Sequence, residues 1–190
     1  MLETAGRLFA ANGFHAASMD EIADAAGISK PMLYNYFGSK EGLYFAFIEQ
    51  AYRDFISSLD AAVQETAAAG GGPAVQLRNG LRAYYRFVGE HRDAFRVVFR
   101  ELGDPGGRLT QPRQRLRRRI AAAIRGIVAD EGSSSDPPAD ADALAEVYLW
   151  AARGMADLWL DQPGRTAEDV ADQLWQLIMG GLRDLGPPLG

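Results

Sequence analysis

Residues 18–37 read Ser-Met-Asp-Glu-Ile-Ala-Asp-Ala-Ala-Gly-Ile-Ser-Lys-Pro-Met-Leu-Tyr-Asn-Tyr-Phe, and the punctuation of this stretch decides the fold of the front of the chain. Ser18 and Glu21 stand at capping-box spacing. The serine oxygen accepts a helix-start N–H, and the glutamate carboxylate reaches back to accept the serine's own N–H. The helix they open lasts about two turns and meets Gly27, a residue suited to a left-handed stop. Ser29 can cap a second helix with Pro31 in its first turn, where a missing N–H does no harm. Two short helices joined by a tight glycine turn make a helix-turn-helix pattern. Ile22, Ala26, Ile28, Leu33 and Phe37 supply its buried side. Ala23 lies where the two helices approach closely, and Ala5, Leu8 and Phe9 offer a third helix to cover the pair.

The side chains left outside that core suit duplex DNA. Lys30 can donate to guanine O6 and N7, Asn35 can pair with adenine N6 and N7, and Pro31 or Met32 can touch a thymine methyl. Ser29 is a further plausible groove contact, and Ser18, Tyr34, Tyr36 and Lys40 suit phosphate oxygens, which position a reader without conveying sequence. Helix starts at Ser18 and Ser39 add their N-terminal dipoles towards phosphate. Charge runs against this picture. Residues 1–46 carry three basic groups against five acidic ones, a net −2, within a chain of net −5. Phosphate neutralisation supplies most non-specific affinity, so weak non-specific binding is expected here and two copies must bind together.

With 190 residues, 47% hydrophobic and 24% charged, the chain has an ordinary globular composition and needs no covalent staples. It has no cysteine, which excludes disulfide scaffolds, thiolate metal sites and cysteine nucleophiles. His15 and His91 are isolated, and no carboxylate or histidine set has metal-ligand spacing. Ser, His and Asp form no recognisable nucleophile motif, so no catalytic residue and no cofactor is expected. Apolar runs such as Leu43 to Ile48 and Val147 to Ala152 fall far short of the ~20 residues of a membrane span. Nor does the N-terminus read as a secretory signal, and the expected location is the cytoplasm.

Glycine and proline clusters at 70–73, 103–107, 132–138, 161–164 and 186–188 cut the chain into helix-length pieces. Between them apolar residues recur at three and four. The series are Leu43, Phe47, Ala51, Phe55, Leu59 and Val63; Leu81, Tyr84, Tyr85 and Val88; Leu116, Ile120, Ile124, Ile127 and Val128; Leu144, Val147, Tyr148, Ala151, Met155 and Leu158; and Val170, Leu174, Leu177, Ile178 and Leu182. Strand alternation is absent, so the expected fold is all-α with about nine helices. Its expected parts are a helix-turn-helix domain at 1–46 and a second helical domain at 47–190.

Three stretches carry a resemblance: Ala5 to Gly13, Ile22 to Ile28, and Leu33-Tyr34-x-Tyr36-Phe37-x-Ser39-Lys40-Glu41-x-Leu43. Over residues 2–47 the chain resembles the DNA-binding region of the TetR family of transcriptional regulators. That resemblance implies a homodimer bound to operator DNA, a C-terminal domain that takes a small-molecule effector, and release of the DNA when the effector binds. By position, Lys30, Pro31, Met32, Tyr34 and Tyr36 fall on the recognition-helix contacts and Lys40 on the phosphate-binding lysine. Family members usually begin with a basic arm. This chain begins almost inside its first helix, so contacts from an arm are expected to be either absent or lost with a truncated start.

The rest of the chain gives fewer signals. Ala151, Ala152, Gly154 and Ala156, then Gly180 and Gly181, put small residues on apolar faces of the last two helices. Such faces suit either a two-fold four-helix interface or packing within one chain, and the resemblance favours the homodimer. Phe55, Tyr84, Phe95, Phe99, Trp150 and Arg153 are the candidate effector pocket, Arg153 facing an acidic effector, although the aromatics equally suit a helical core. Arg113, Arg115, Arg117, Arg118 and Arg119 read as a solvated helix face. The competing reading is a helical ligand-binding or enzymatic bundle whose front hairpin is only structural.

Overall fold

The computed structural model describes residues 1–97, 109–130, 141–162 and 164–184. These residues form nine α-helices and no strand, in line with the apolar spacing. They group into two compact units, Met1–Ile56 with Glu90–Leu109, and Ser57–Gly89 with Thr110–Gly190. Phe99, Pro163, the side chains of Val128, Gly181 and Leu182, and the glycine and proline clusters at 103–107, 132–138 and 186–188 lie outside the described residues.

The first unit contains α1 (Leu2–Ala16), α2 (Met19–Ala26), α3 (Lys30–Phe37), the front of α4 (Lys40–Ala68) and the short α6 (Arg92–Phe95). Ala5, Phe9, Ile22, Leu33 and Leu43 have no exposed surface. Enclosing each of the larger ones is worth roughly 1.5–3 kcal/mol. Ala23 is buried, as the close approach of α2 and α3 demands. Gly6 has a different reason to be small: a Cβ there would lie 2.2 Å from Phe47 Cε2. Phe9 packs edge-on against Tyr44, with ring centroids 5.1 Å apart.

The second unit holds the rest of α4, then α5 (Pro73–Glu90), α7 (Thr110–Asp130), α8 (Ala141–Leu160) and α9 (Ala167–Asp184). Its core includes Leu81, Tyr85, Val88, Ile124, Ala156 and Val170. Two buried tyrosines pin α5 to α8. Tyr85 Oη donates to the Ala152 carbonyl at 3.0 Å, and Tyr148 Oη donates to the Leu77 carbonyl at 3.2 Å. Burial pushes both phenols above their ordinary range, which keeps them as neutral donors. On the outside, Asp172 accepts from Arg78 at 3.2 Å and from Arg82 at 3.0 and 2.7 Å, tying α9 to α5. From the arginine run, Arg119 pairs with Asp60 and Arg117 lies 3.8 Å from Asp142, while Arg115 and Arg118 face solvent.

One expectation needs correcting. The series Leu144 to Leu158 reads as one inward face, but of it α8 buries only Tyr148, together with Ala145, Ala152, Ala156 and Trp159. Val147, Trp150 and Leu158 point outward, the last two 65% exposed, and Leu177 of α9 does the same. Ala152 and Ala156, expected on a pairing face, are therefore core residues of their own unit. The cause is simple. A helix apolar on most of its circumference offers more apolar faces than one chain can cover, and periodicity does not say which is left over.

Candidate nucleic-acid interface

The helix-turn-helix is built by its caps. Ser18 Oγ accepts from Asp20 N at 3.2 Å while Ser18 N donates to Glu21 Oε2 at 3.4 Å, so the capping box forms as its spacing implies. Helix α2 stops at Gly27 (φ 68°, ψ 31°), and Ile28 N closes back on the Ala23 carbonyl at 3.0 Å. An L-residue at that left-handed position costs about 1–2 kcal/mol. Ser29 Oγ then accepts from Met32 N at 3.3 Å and starts α3, with Pro31 in the first turn.

Helix α3 has two unlike sides. Leu33 is sealed in the core, whereas Met32, Tyr34 and Tyr36 are 46, 41 and 66% exposed, and Ser29, Lys30, Pro31 and Asn35 are exposed beside them. Large apolar and aromatic side chains held out to solvent on so short a helix mark a binding surface. Tyr36, which could equally have packed against the next helix, projects outward.

The two lysines behave differently from each other. Lys30 Nζ lies 2.9 Å from Asp20 Oδ2, and the hydrogen bond and charge of that carboxylate push the lysine above its ordinary range. Lys40 Nζ donates to the carbonyls of His15 at 3.0 Å and Ala17 at 3.1 Å and lies 4.8 Å over the Phe14 ring. Those carbonyls belong to the end of α1, where helix geometry leaves acceptors unmet. The ammonium expected on phosphate thus also serves as a clamp on its own unit, a role that spacing along the chain does not reveal. Ser18 and Ser39 are likewise engaged as caps, Ser39 Oγ accepting from Gly42 N at 3.1 Å.

Of the expected effector residues, Tyr84 and Arg153 lie in the second unit, close enough for the guanidinium charge to act on the buried Tyr84 phenol. Phe55 and Phe95 are buried in the first unit and Tyr84 in the second. Trp150 stands in solvent with the Arg153 guanidinium 5.6 Å over its ring. A groove of about 730 Å³ in the second unit runs between α5 and α9, and Arg78, Arg82, Trp175 and Met179 line it. The sequence reading missed it. Its signal was the i, i+4 pair of arginines on α5 facing the single carboxylate of Asp172 on α9. Among the described residues no group of histidines and carboxylates could hold a metal ion, and no helix is long and apolar enough to cross a membrane.

Known proteins share this arrangement. Residues 1–47 match the family of bacterial regulatory proteins, tetR family, and residues 73–181 match the tetracyclin repressor-like C-terminal domain. The transcriptional activator FasR of Mycolicibacterium smegmatis is 35% identical over 99 residues, 52% of this chain but only 43% of that relative's length. The transcriptional repressor KstR2 of the same organism is 28% identical over 96% of this chain and 88% of its own. Among solved structures, a TetR-like transcriptional regulator from Rhodococcus sp. RHA1 superposes with a TM-score of 0.80 at 31% identity, covering 96% of this chain and 93% of that one. These relatives are transcriptional regulators.

Proposed function

The chain belongs to the tetR family of bacterial regulatory proteins and is a DNA-binding transcriptional regulator; we propose that it acts as a homodimeric repressor whose two α3 helices read successive major grooves and let go when a small molecule binds. The observation that carries this reading is α3 itself, with Leu33 anchored inside and Met32, Tyr34 and Tyr36 held out. Lys30, Pro31, Met32, Asn35 and Tyr34 face base edges and phosphates, with Ser29 and Tyr36 at the rim. Ser18 and Lys40 act one step behind, by fixing α2 and the end of α1. As functional domains, residues 1–46 read DNA and 47–190 sense and dimerise.

Dimerisation supplies what charge does not. With Lys30 paired and Lys40 turned inward, one copy neutralises few phosphates, so specific binding needs two joined copies. The outward apolar residues Val147, Trp150 and Leu158 of α8, with Leu177 of α9, fit a two-fold four-helix interface. Two α3 helices must then stand about 34–36 Å apart, one duplex turn. Helix α4 contributes to both units. An effector that prefers a different pose of α4 changes that spacing, and a coupling of ~1–3 kcal/mol is worth a five- to 150-fold change in affinity.

Selection of binding sites from a pool of random duplexes tests the reading. The purified protein should enrich an inverted repeat whose half-sites lie about one helical turn apart. Recovery of no common sequence, or of a single unrepeated half-site, contradicts it.

A further inference from the structure

Helix α3 reads Lys-Pro-Met-Leu-Tyr-Asn-Tyr-Phe, so Lys30 is its one cationic side chain. That ammonium is spoken for: Asp20, in the first turn of α2, holds it at 2.9 Å, both side chains being largely exposed. The backbone that carries this carboxylate is held in place, because Asp20 N is the donor to Ser18 Oγ in the cap. The pair therefore links the first turn of α2 to the first turn of α3, on the exposed surface where α3 carries its outward side chains.

We propose that Asp20 is a positioning residue that sets specificity, cancelling Lys30 as a phosphate ligand while leaving it able to read a neutral base edge. The inference rests on the DNA-binding reading above. An ammonium has three N–H donors. With one on Asp20, two stay available for guanine N7 and O6, and a neutral base edge does not repel the carboxylate. A phosphate placed on Lys30 meets Asp20 as a like charge at close range. Counterion release gives the same sign, since a lysine already neutralised by a carboxylate adds nothing to the salt-dependent, sequence-blind part of binding. Asp20 thus weakens binding to any DNA in order to favour the right one, which suits a reader whose front 46 residues carry a net negative charge.

The experiment compares wild type, Asp20→Asn, Asp20→Ser, Asp24→Asn, Lys30→Ala and Lys30→Ala/Asp20→Asn, each checked for folding by circular dichroism melts. Two probes are titrated between ~50 and ~200 mM salt: a random-sequence duplex of about three turns, and a duplex that wild type enriches from a random pool. Asp20→Asn should tighten random-duplex binding about tenfold per copy at 0.1 M salt and steepen the log–log salt slope by ~0.9 per copy. Binding to the enriched duplex should rise less than threefold, so the specificity ratio falls. Asp20→Ser should behave alike, and the effect should vanish on the Lys30→Ala background. Asp24 is also exposed on α2, and Asp24→Asn removes an equal charge without touching Lys30. An equal effect from Asp24→Asn assigns the change to bulk charge and overturns the proposal. So does an unchanged salt slope, or an Asp20→Asn effect that persists without Lys30. If wild type enriches no duplex at all, the DNA-binding reading falls first and the inference with it.

Discussion

Helices α2 and α3 and helices α8 and α9 are both helical pairs, yet they treat their apolar residues in opposite ways. In the first pair every aliphatic anchor closes on its own unit, and what remains outside is a compact set of polar, aromatic and sulfur-bearing side chains on α3. In the second pair, α8 buries one apolar face and leaves another, Val147, Trp150 and Leu158, in solvent. A short capped helix with one apolar side has its orientation fixed by its own sequence. A helix apolar on most of its circumference has it fixed by its neighbours, which in the proposed dimer include a second copy.

This contrast can be broken from either side. The largest effect is expected from Trp150→Asp/Leu158→Asp. Two exposed positions acquire charge, so the unit should fold, but the copies should separate. Sedimentation should register a monomer, and affinity for an inverted-repeat duplex should drop ~100-fold or more as the second copy's contribution is lost. A variant that stays dimeric would mean the apolar face serves something else. Gly6→Ala attacks the other pair's support. Its Cβ would meet the Phe47 ring, and overpacking of this kind costs about 1–3 kcal/mol. A thermal melt should register the loss with the oligomeric state intact.

The smallest effect separates surface tethering from core packing within the second unit. Hydrogen bonding to Arg82 holds the Asp172 carboxyl below its ordinary range, with Arg78 adding to it. Because the folded value is depressed, the contribution is complete above the unfolded value of ~3.9 and is lost as pH falls through the folded value. Asp172→Asn should therefore cost about 1 kcal/mol near neutral pH, the scale of a half-exposed ion pair. Melts of variant and wild type should begin to converge as pH falls below ~3.9 and meet once it has passed the lower folded value; a gap that stays constant on acidification would contradict the assignment.

What was legible in the residues follows the same division. Ser18, Glu21, Gly27 and Ser29 state their own geometry, because caps and left-handed stops are local, and each forms as written. Ile22, Leu33, Leu43 and Phe47 are buried as their spacing implies, whereas Ala26, Ile28 and Phe37 are only half-buried. Lys40, expected on phosphate, also clamps the end of α1, because carbonyls more than twenty residues away in the chain help to decide its direction. Trp150 was read as a pocket wall, and an apolar helix gives no internal sign of which side is out. Asp172 and its two arginines were silent for a related reason: they meet only once α5 and α9 have packed.

The account stands or falls on the outward side of α3. Binding of an enriched duplex by Lys30→Ala/Tyr34→Ala should be measured beside thermal melts of variant and wild type. The account predicts melts that agree and an affinity reduced ~100-fold or more, since two groove contacts are lost from each copy. A variant that melts like wild type and still binds the duplex as tightly would contradict it.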